Sequence, residues 1–523
     1  MHTEAALEVS SSTPLMPRAT ALTRRASLNA LQALLDYGAK LIVTFVVTPM
    51  LVASLGRSLY GVWEMLARLI GYMSASDARP MEALRLVIAT RQGLNDPAGH
   101  RRAVGSALIV WMFFLPLVIA VGVLLVWLAP IITKVTAELR PTVRVAAVLL
   151  VGTFLITGLA TVPESVLRGM NLGYKRMGLQ AGLSVVGGAL LALAVRAGWG
   201  LPGAAGSQLI LGAITGICFW LLARRYVPWF GVARPTRREV GALLGMSGWL
   251  AGGELIANVS LASDVLILGA VVSSSTVTTY VLTGYAARLA LGLHFRAVSS
   301  AMPGLGGVLG ERQFERAAQL RRELLALTWL FATAVGATIL LWNRSFIALW
   351  VGPQLYAGLW VNLLIVLVTI QTAVVRSDAF MLDAALQPRA RVIVSAVAAV
   401  LVLGVGIALA PSLGMVGVCL GLVAGRAVQS IAYPALVHAS LGGALDLPWR
   451  PLVRPVLASA LVLGAATALG EHVLAPGWIT CVGLVVVSFA LLLPATLLTG
   501  LGESDRRNVI TRMRQIWQGV RGG

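Results

Sequence analysis

Arg68 and Arg288 each sit near the middle of a long apolar run, and each follows a tyrosine by eight positions, Tyr60 and Tyr280. The two copies lie 220 positions apart. A charged side chain at a bilayer centre costs about 2.5–3.5 kcal/mol on insertion scales, so two equivalent ones point to a shared task. Arginine suits phosphate because its planar fork donates paired hydrogen bonds and stays charged. The chemistry open to this pair is to hold an anion in a cavity between two membrane lobes.

Other ionisable groups gather around the same runs. Asp36 and Lys40 are four apart on one helix face, as are Glu64 and Arg68. Such pairs can neutralise themselves within one helix, yet paired charges should still turn inward and not toward lipid. The counterpart runs hold Glu254, Asn258 and Asp264, then Arg288, His294 and Arg296. Arg288 has no acid one turn away, so its partner must come from another helix or a ligand. Arg296 lies nearer the inner end, where a long side chain snorkels. His294 reads as a hydrogen-bonded structural residue. Arg376, Asp378 and Asp383, with Arg426 two spans later, read as a structural pairing between those spans. The candidate substrate-binding cations are therefore Arg68, Arg288, Lys40 and Arg296. The candidate ion-coupling or ion-pair groups are Asp36, Glu64, Glu254, Asp264 and Asn258.

No catalytic constellation accompanies them. The chain has no G-x-x-x-x-G-K-[ST] phosphate loop, no H-E-x-x-H and no G-x-S-x-G elbow. Its five histidines are dispersed, and Cys218, Cys419 and Cys481 are scattered through apolar runs. These absences count for a secondary transporter or flippase and against a nucleotide-driven motor. No metal or cofactor is expected beyond coupling to a proton or a sodium ion.

The elements that must position these residues are membrane helices. Only 12% of the 523 residues are charged, against roughly 25% in soluble chains, and 58% are hydrophobic. Apolar runs repeatedly reach the length that crosses a ~30 Å hydrocarbon core. Fourteen spans are expected, so the fold class is an all-α membrane protein. Its parts are a polar tail over 1–27, a first six-helix lobe over 28–225, a second over 239–437, two added helices over 452–499, and a tail over 500–523. No long apolar core opens the chain, so no cleavable signal peptide is expected.

The net charge of +20 invites a nucleic-acid reading, but its distribution is a topology signal. Of the 41 Lys and Arg residues, most fall in the tails and connections on the side of the N-terminus and few on the other. Basic loops stay cytoplasmic, so both termini are expected on the cytoplasmic side. The abundance of Arg over Lys carries no functional information. In the tail, Val509, Ile510, Met513, Ile516, Trp517 and Val520 share one helical face, with Arg506, Arg507, Arg512 and Arg514 largely elsewhere. That pattern predicts a basic amphipathic helix on the inner membrane surface.

The 220-residue offset recurs. RQGLNDPAGHRR at Arg91–Arg102 resembles GERQFERAAQLRR at Gly310–Arg322. The sixth span has Gly212 and Gly216, and the twelfth has Gly417, Gly421 and Gly425, spacings that let helices pack closely in lipid. Spans 1–6 and 7–12 therefore read as a parallel repeat, which places a binding site where the two pseudo-symmetric lobes meet around a central cavity.

Several short patterns are in family order. L-Y-G-V-W occurs at Leu59–Trp63, V-P-E-S-V-L-R-G-M at Val162–Met170 and S-D-V-L-I-L-G at Ser263–Gly269. T-Y-x-L-x-x-Y-A-A-R-L follows at Thr279–Leu289 and L-W-V-G-P at Leu349–Pro353. Over residues 20–500 the chain resembles the multidrug/oligosaccharidyl-lipid/polysaccharide (MOP) flippase superfamily, in its polysaccharide-transporter branch of the O-antigen flippase type. It departs at Asp77-Ala78-Arg79, where that family often has Asp-Leu-Gly. The resemblance implies alternating-access export of a polyprenyl-pyrophosphate-linked oligosaccharide for cell-surface polysaccharide. It also implies a cationic cavity lined by spans 1, 2, 7 and 8. Expected partners are the lipid-linked oligosaccharide, membrane lipids and other polysaccharide-assembly proteins, with no nucleic acid. Two alternatives stay open: a cation-coupled multidrug exporter of the same fold, and a membrane-embedded polysaccharide polymerase or ligase. The exporter would rely on cavity acids. The polymerase would need a sizeable outer loop, whereas the longest outer connections here run to about fifteen residues.

Overall fold

The computed structural model describes residues 16–91, 96–172, 178–384, 388–443, 450–503 and 506–511. The described chain is helical throughout, with no strand among the described residues. In hydrocarbon, backbone N–H and C=O groups must bond within their own segment, so apolar runs of this length become helices.

The first helix, α1 (Met16–Tyr72), begins ahead of the expected start at Leu28. Its 57 residues would extend about 85 Å, far more than one bilayer. Gly56 divides it at φ 71°, ψ 172°, a conformation that a residue without Cβ reaches cheaply. The two parts are spans 1 and 2. The chain continues through α2 (Pro80–Arg91), α3 (Pro97–Ile132), α4 (Arg140–Gly169), α5 (Leu179–Arg196) and α6 (Gly200–Tyr226). The second lobe comprises α7 (Arg237–Ile267), α8 (Ser274–Thr283), α9 (Tyr285–Gly310), α10 (Phe314–Trp350), α11 (Leu359–Ala384), α12 (Pro388–Leu413) and α13 (Met415–Ser440). Two more helices follow, α14 (Arg450–His472) and α15 (Trp478–Gly500).

Among the described residues, eleven helical stretches are long and apolar enough to cross a membrane. Leu35–Ala75 is one of them and counts twice because Gly56 divides it. Helix α7 and the α8–α9 pair supply the seventh and eighth spans. The expected order of fourteen is met.

The repeat is visible in how helices pack. In the first lobe α1 lies on α5, α3 on α4, and α4 on α6; in the second, α7 lies on α12, α10 on α11, and α11 on α13. Helices α14 and α15 attach to α10. One difference breaks the symmetry. Span 2 ends at Tyr72, and the chain turns through Asp77–Arg79 before α2, whose Ala83, Leu84 and Ile88 are fully buried in the first lobe. In the second lobe α9 runs on unbroken to Gly310.

At that turn Ala78 and Arg79 both take positive φ, 55° and 51°. The Arg79 N–H donates to Asp77 Oδ1 at 2.8 Å. Arg79 occupies the place where the resembled family has glycine, and the backbone keeps the glycine-like conformation.

The C-terminal segment starts as a docked element. Val509 is fully buried against Leu330 and Leu501. The remaining apolar positions of the expected amphipathic face beyond Ile510 lie outside the described residues, as does the tail before Met16.

Candidate functional site

Span 8 is not one continuous helix. It breaks at Gly284, between α8 and α9, and the freed carbonyls find other partners. Asn343 Nδ2 donates to Thr283 O at 2.9 Å and to Asn362 Oδ1 at 2.7 Å. The Arg288 guanidinium folds back to donate to the Val281 carbonyl. A Cβ at Gly284 would stand 3.0 Å from Arg288 Nη1, so the glycine leaves room for that guanidinium.

Beside this break lies a cavity of about 300 Å³. Arg68, Asp264, Tyr280, Arg288, Thr369, Thr372 and Arg426 supply its polar lining. Phe295, Ile365 and Leu422 are among its apolar walls. Arg68 comes from the first lobe and the other polar residues from the second. Two residues predicted from equivalent positions of the repeat thus share one cavity.

Each has a defined setting. Arg68 Nε is buried with no hydrogen-bond partner. Glu64, one turn away, accepts from the Tyr60 hydroxyl at 3.1 Å, and among the described residues no ion pair joins it to Arg68. Tyr280 donates to Asp264 Oδ2 at 2.7 Å. Arg426 is 4% exposed; its Nε donates to Thr372 Oγ1 at 3.1 Å and its Nη1 to Gln429 Oε1 at 3.0 Å.

The remaining candidates lie elsewhere. Lys40 is exposed, and Asp36 buries its Oδ1. Arg296 stacks over the Tyr37 ring at 4.0 Å. Asn258 Nδ2 donates to Gly71 O at 3.3 Å and Ser74 Oγ at 3.2 Å, tying α7 to the end of span 2. Glu254 lies outside the described side chains. Among the described residues span 1 supplies none of the lining of this cavity; it is packed against span 8. Tyr37 donates to Leu289 O at 2.9 Å, and a Cβ on Gly292 would sit 2.5 Å from that hydroxyl. Spans 10 and 12 take its place.

The pairing expected between spans 10 and 12 forms through Arg426 and Thr372; among the described residues it does not run through the acids of span 10. Asp378 is held by Arg321 from the base of α10, and Asp383 pairs with Arg391 of α12 at 3.1 Å. Arg376 lies over the rings of Phe295 and Phe380, at 5.1 and 5.6 Å. Arg426 lines the cavity, a place that sequence reasoning did not give it. The signal was present: like Arg288, it has no acid one turn away on its own helix. His294 is the structural residue expected, its Nε2 3.2 Å from Ala373 O.

The lobes meet on the side away from the termini. Arg57 Nη2 donates to Thr279 Oγ1 at 3.0 Å, Thr278 Oγ1 to Arg57 O at 2.6 Å, and Ser58 Oγ lies 3.0 Å from Ser274 Oγ. Gly61 packs so closely that a Cβ there would fall 1.8 Å from the Ser274 carbonyl oxygen. Trp350 Nε1 donates to Phe45 O at 2.8 Å, and their rings stack at 5.6 Å.

Comparison with known proteins agrees with this architecture. The model of the family described as "Polysaccharide biosynthesis protein" matches residues 99–305. No curated protein sequence matches the chain. A solved multidrug resistance MATE family transporter of the MOP superfamily is similar in its inward-facing conformation, with a TM-score of 0.61 and 16% identity, covering 78% of this chain and 98% of that one. An outward-facing conformation described in the same words gives a TM-score of 0.55 and 16% identity, covering 81% and 96%. A MATE crystal structure in complex with MaD3S gives 0.57 and 16%, covering 80% and 96%. At such identities the likeness establishes the fold. The chain is a multi-pass membrane protein with the fold of these MATE transporters, the fold that the resemblance to the MOP superfamily implied.

Proposed function

We propose that the protein is a flippase that carries a polyprenyl-pyrophosphate-linked oligosaccharide across the bacterial inner membrane, with both termini cytoplasmic. One observation carries the reading: Arg68 and Arg288, at equivalent positions of the two lobes, line a single cavity. Moving a diphosphate and its sugars through hydrocarbon is prohibitive, because buried charges and hydroxyls lose their hydration. Guanidinium groups replace that hydration with charge-assisted hydrogen bonds. The buried, unfilled Arg68 Nε is a donor of the kind such a ligand satisfies. The lipid tail stays in the bilayer while rocking of the lobes exposes the headgroup on the far side.

A multidrug exporter for cationic compounds draws its support from Asp264, the acid on the described lining. Three guanidinium groups around one carboxylate favour an anion instead. The test is flipping of lipid-linked oligosaccharide in vesicles, with membrane insertion checked. Arg288→Ala should abolish it, Arg288→Lys restore it in part, and Arg288→Glu do worse than alanine. Full activity of the Arg68→Ala/Arg288→Ala double variant ends the proposal.

A further inference from the structure

In an unbroken helix the Val281 and Thr283 carbonyls accept from the N–H groups four residues on, those of Tyr285 and Ala287. Span 8 is interrupted between α8 and α9, and the same two carbonyls accept from side chains, Val281 O from Arg288 and Thr283 O from Asn343. Span 2 shows that the repeat does not require this. Tyr60 and Arg68 match Tyr280 and Arg288, so Glu64 stands where Gly284 stands, and the helix runs from Gly56 to Tyr72 without a break. Of the two matched segments only the second is interrupted.

Asn343 of α10 and Asn362 of α11 are each 2% exposed. An amide bridging two helices in lipid is ordinarily packing glue, and the Asn343 Nδ2 bond to Asn362 Oδ1 at 2.7 Å is of that kind. The second Nδ2 bond, to the main chain of a third helix at the point of interruption, adds nothing to that bridge. The Thr283 side chain is engaged as well, its Oγ1 accepting from Ala357 N at 2.9 Å. The last residue of α8 is thereby fixed to α10 and to the connection before α11, and α9 starts anew at Tyr285. Arg288 lies in the first turn of α9, so the course on which α9 leaves the interruption brings its side chain to the cavity.

We infer that Asn343 is a positioning residue for Arg288. By occupying the Thr283 carbonyl it stops Ala287 from closing the helix there, and it keeps α9 on that course. The inference rests on the reading of Arg288 as an anion-binding residue and deepens it; Asn343 acts through the backbone and touches no anion itself. Without the Asn343 donor, the Thr283 carbonyl would take back its helical partner, because an unpaired carbonyl in hydrocarbon is costly. Span 8 would then run on through Gly284, and Arg288 would turn with it.

The experiment measures binding of inorganic pyrophosphate to the full chain in lipid nanodiscs, together with thermal unfolding. Asn343→Leu roughly keeps the volume and removes the donor. It should weaken binding about threefold to tenfold, the worth of one net hydrogen bond. Asn362→Leu breaks the same bridge between α10 and α11 but leaves Asn343 its bond to Thr283. It should cost similar stability and leave binding nearly unchanged. Gly284→Ala favours an unbroken helix and should weaken binding as Asn343→Leu does. The two together should bind no more weakly than the weaker single variant, because both restore the same helix; losses that add would mark independent defects and overturn the inference. If Asn343→Leu does not fold, Asn343→Ala removes the same donor without adding apolar bulk. Equal weakening by the Asn343 and Asn362 variants reduces Asn343 to packing and overturns the inference, and so does unchanged binding in the Asn343 variant. The anion reading fails separately, if the unchanged protein does not bind pyrophosphate or if Arg288→Ala binds it equally well.

Discussion

Arg321 grips Asp378 with two bonds, Nε to Oδ1 at 2.8 Å and Nη2 to Oδ2 at 3.0 Å, and Asp378 is 1% exposed. The pair fastens the base of α10 to α11 within the second lobe. The equivalent first-lobe basic pair, Arg101 and Arg102, is used differently. Arg101 Nε donates to Trp229 O at 2.8 Å, and Arg102 Nε donates to Glu239 Oε1 at 3.0 Å, on the first helix of the second lobe. One basic motif thus secures a lobe internally, and its copy secures the connection between lobes.

Asp378→Ala should destabilise the protein by about 3–5 kcal/mol, because it leaves a guanidinium facing a buried void. Thermal unfolding in detergent measures this. A loss near zero would show that the pair is solvated.

Glu239 carries a pH signature. The Thr236 backbone N–H, and then Arg102, hold its carboxyl below the usual glutamate range. A depressed acid contributes stability that is complete above its unfolded value and lost as pH falls through the folded one. The stability gap between the unchanged protein and Glu239→Gln should be full at neutral pH. It should close as pH falls through about 4.3 and below, read from melting curves across pH. A gap that persists in acid refutes the assignment.

Arg79 at φ 51° is strained, since a left-handed non-glycine residue costs roughly 1–2 kcal/mol. Arg79→Gly relieves it, less the entropy glycine adds to the unfolded chain. The melting temperature should rise or hold. A clear fall would mean that the Arg79 side chain contributes more than its backbone costs.

Ser58 and Ser274 are 3.0 Å apart across the lobes. A Ser58→Cys/Ser274→Cys protein should cross-link under mild oxidation and stop transporting, and a reductant should restore transport. Transport that continues in fully cross-linked protein would show that the lobes need not separate here.

The architecture was largely legible, because apolar length and loop charge are local properties. Arg68 and Arg288 could be read as partners because the repeat carries one residue's setting to the other. Contacts between helices were not legible. Spacing reveals neighbours on one helix, and so it offered Glu64 to Arg68, whereas packing gave Glu64 to Tyr60. It offered Arg426 to the acids of span 10, which Arg321 and Arg391 had already engaged. The break at Gly284 was hidden because its carbonyls are satisfied by Asn343 and Arg288, residues remote in sequence or a turn beyond.

The unbroken run of α9 has a mechanical consequence. From Arg288 to Gly310 it forms a rod of about 33 Å with no joint, spanning from the cavity to the face that bears the termini. A tilt imposed at Arg288 reaches the far end of that rod undiminished. The corresponding path from Arg68 passes the elbow at Asp77–Arg79, where rotation about two left-handed residues absorbs it. In the proposed alternating access, occupancy of a cavity lined mostly by the second lobe is transmitted by that lobe and damped by the other, so the stroke has a driving arm and a following arm.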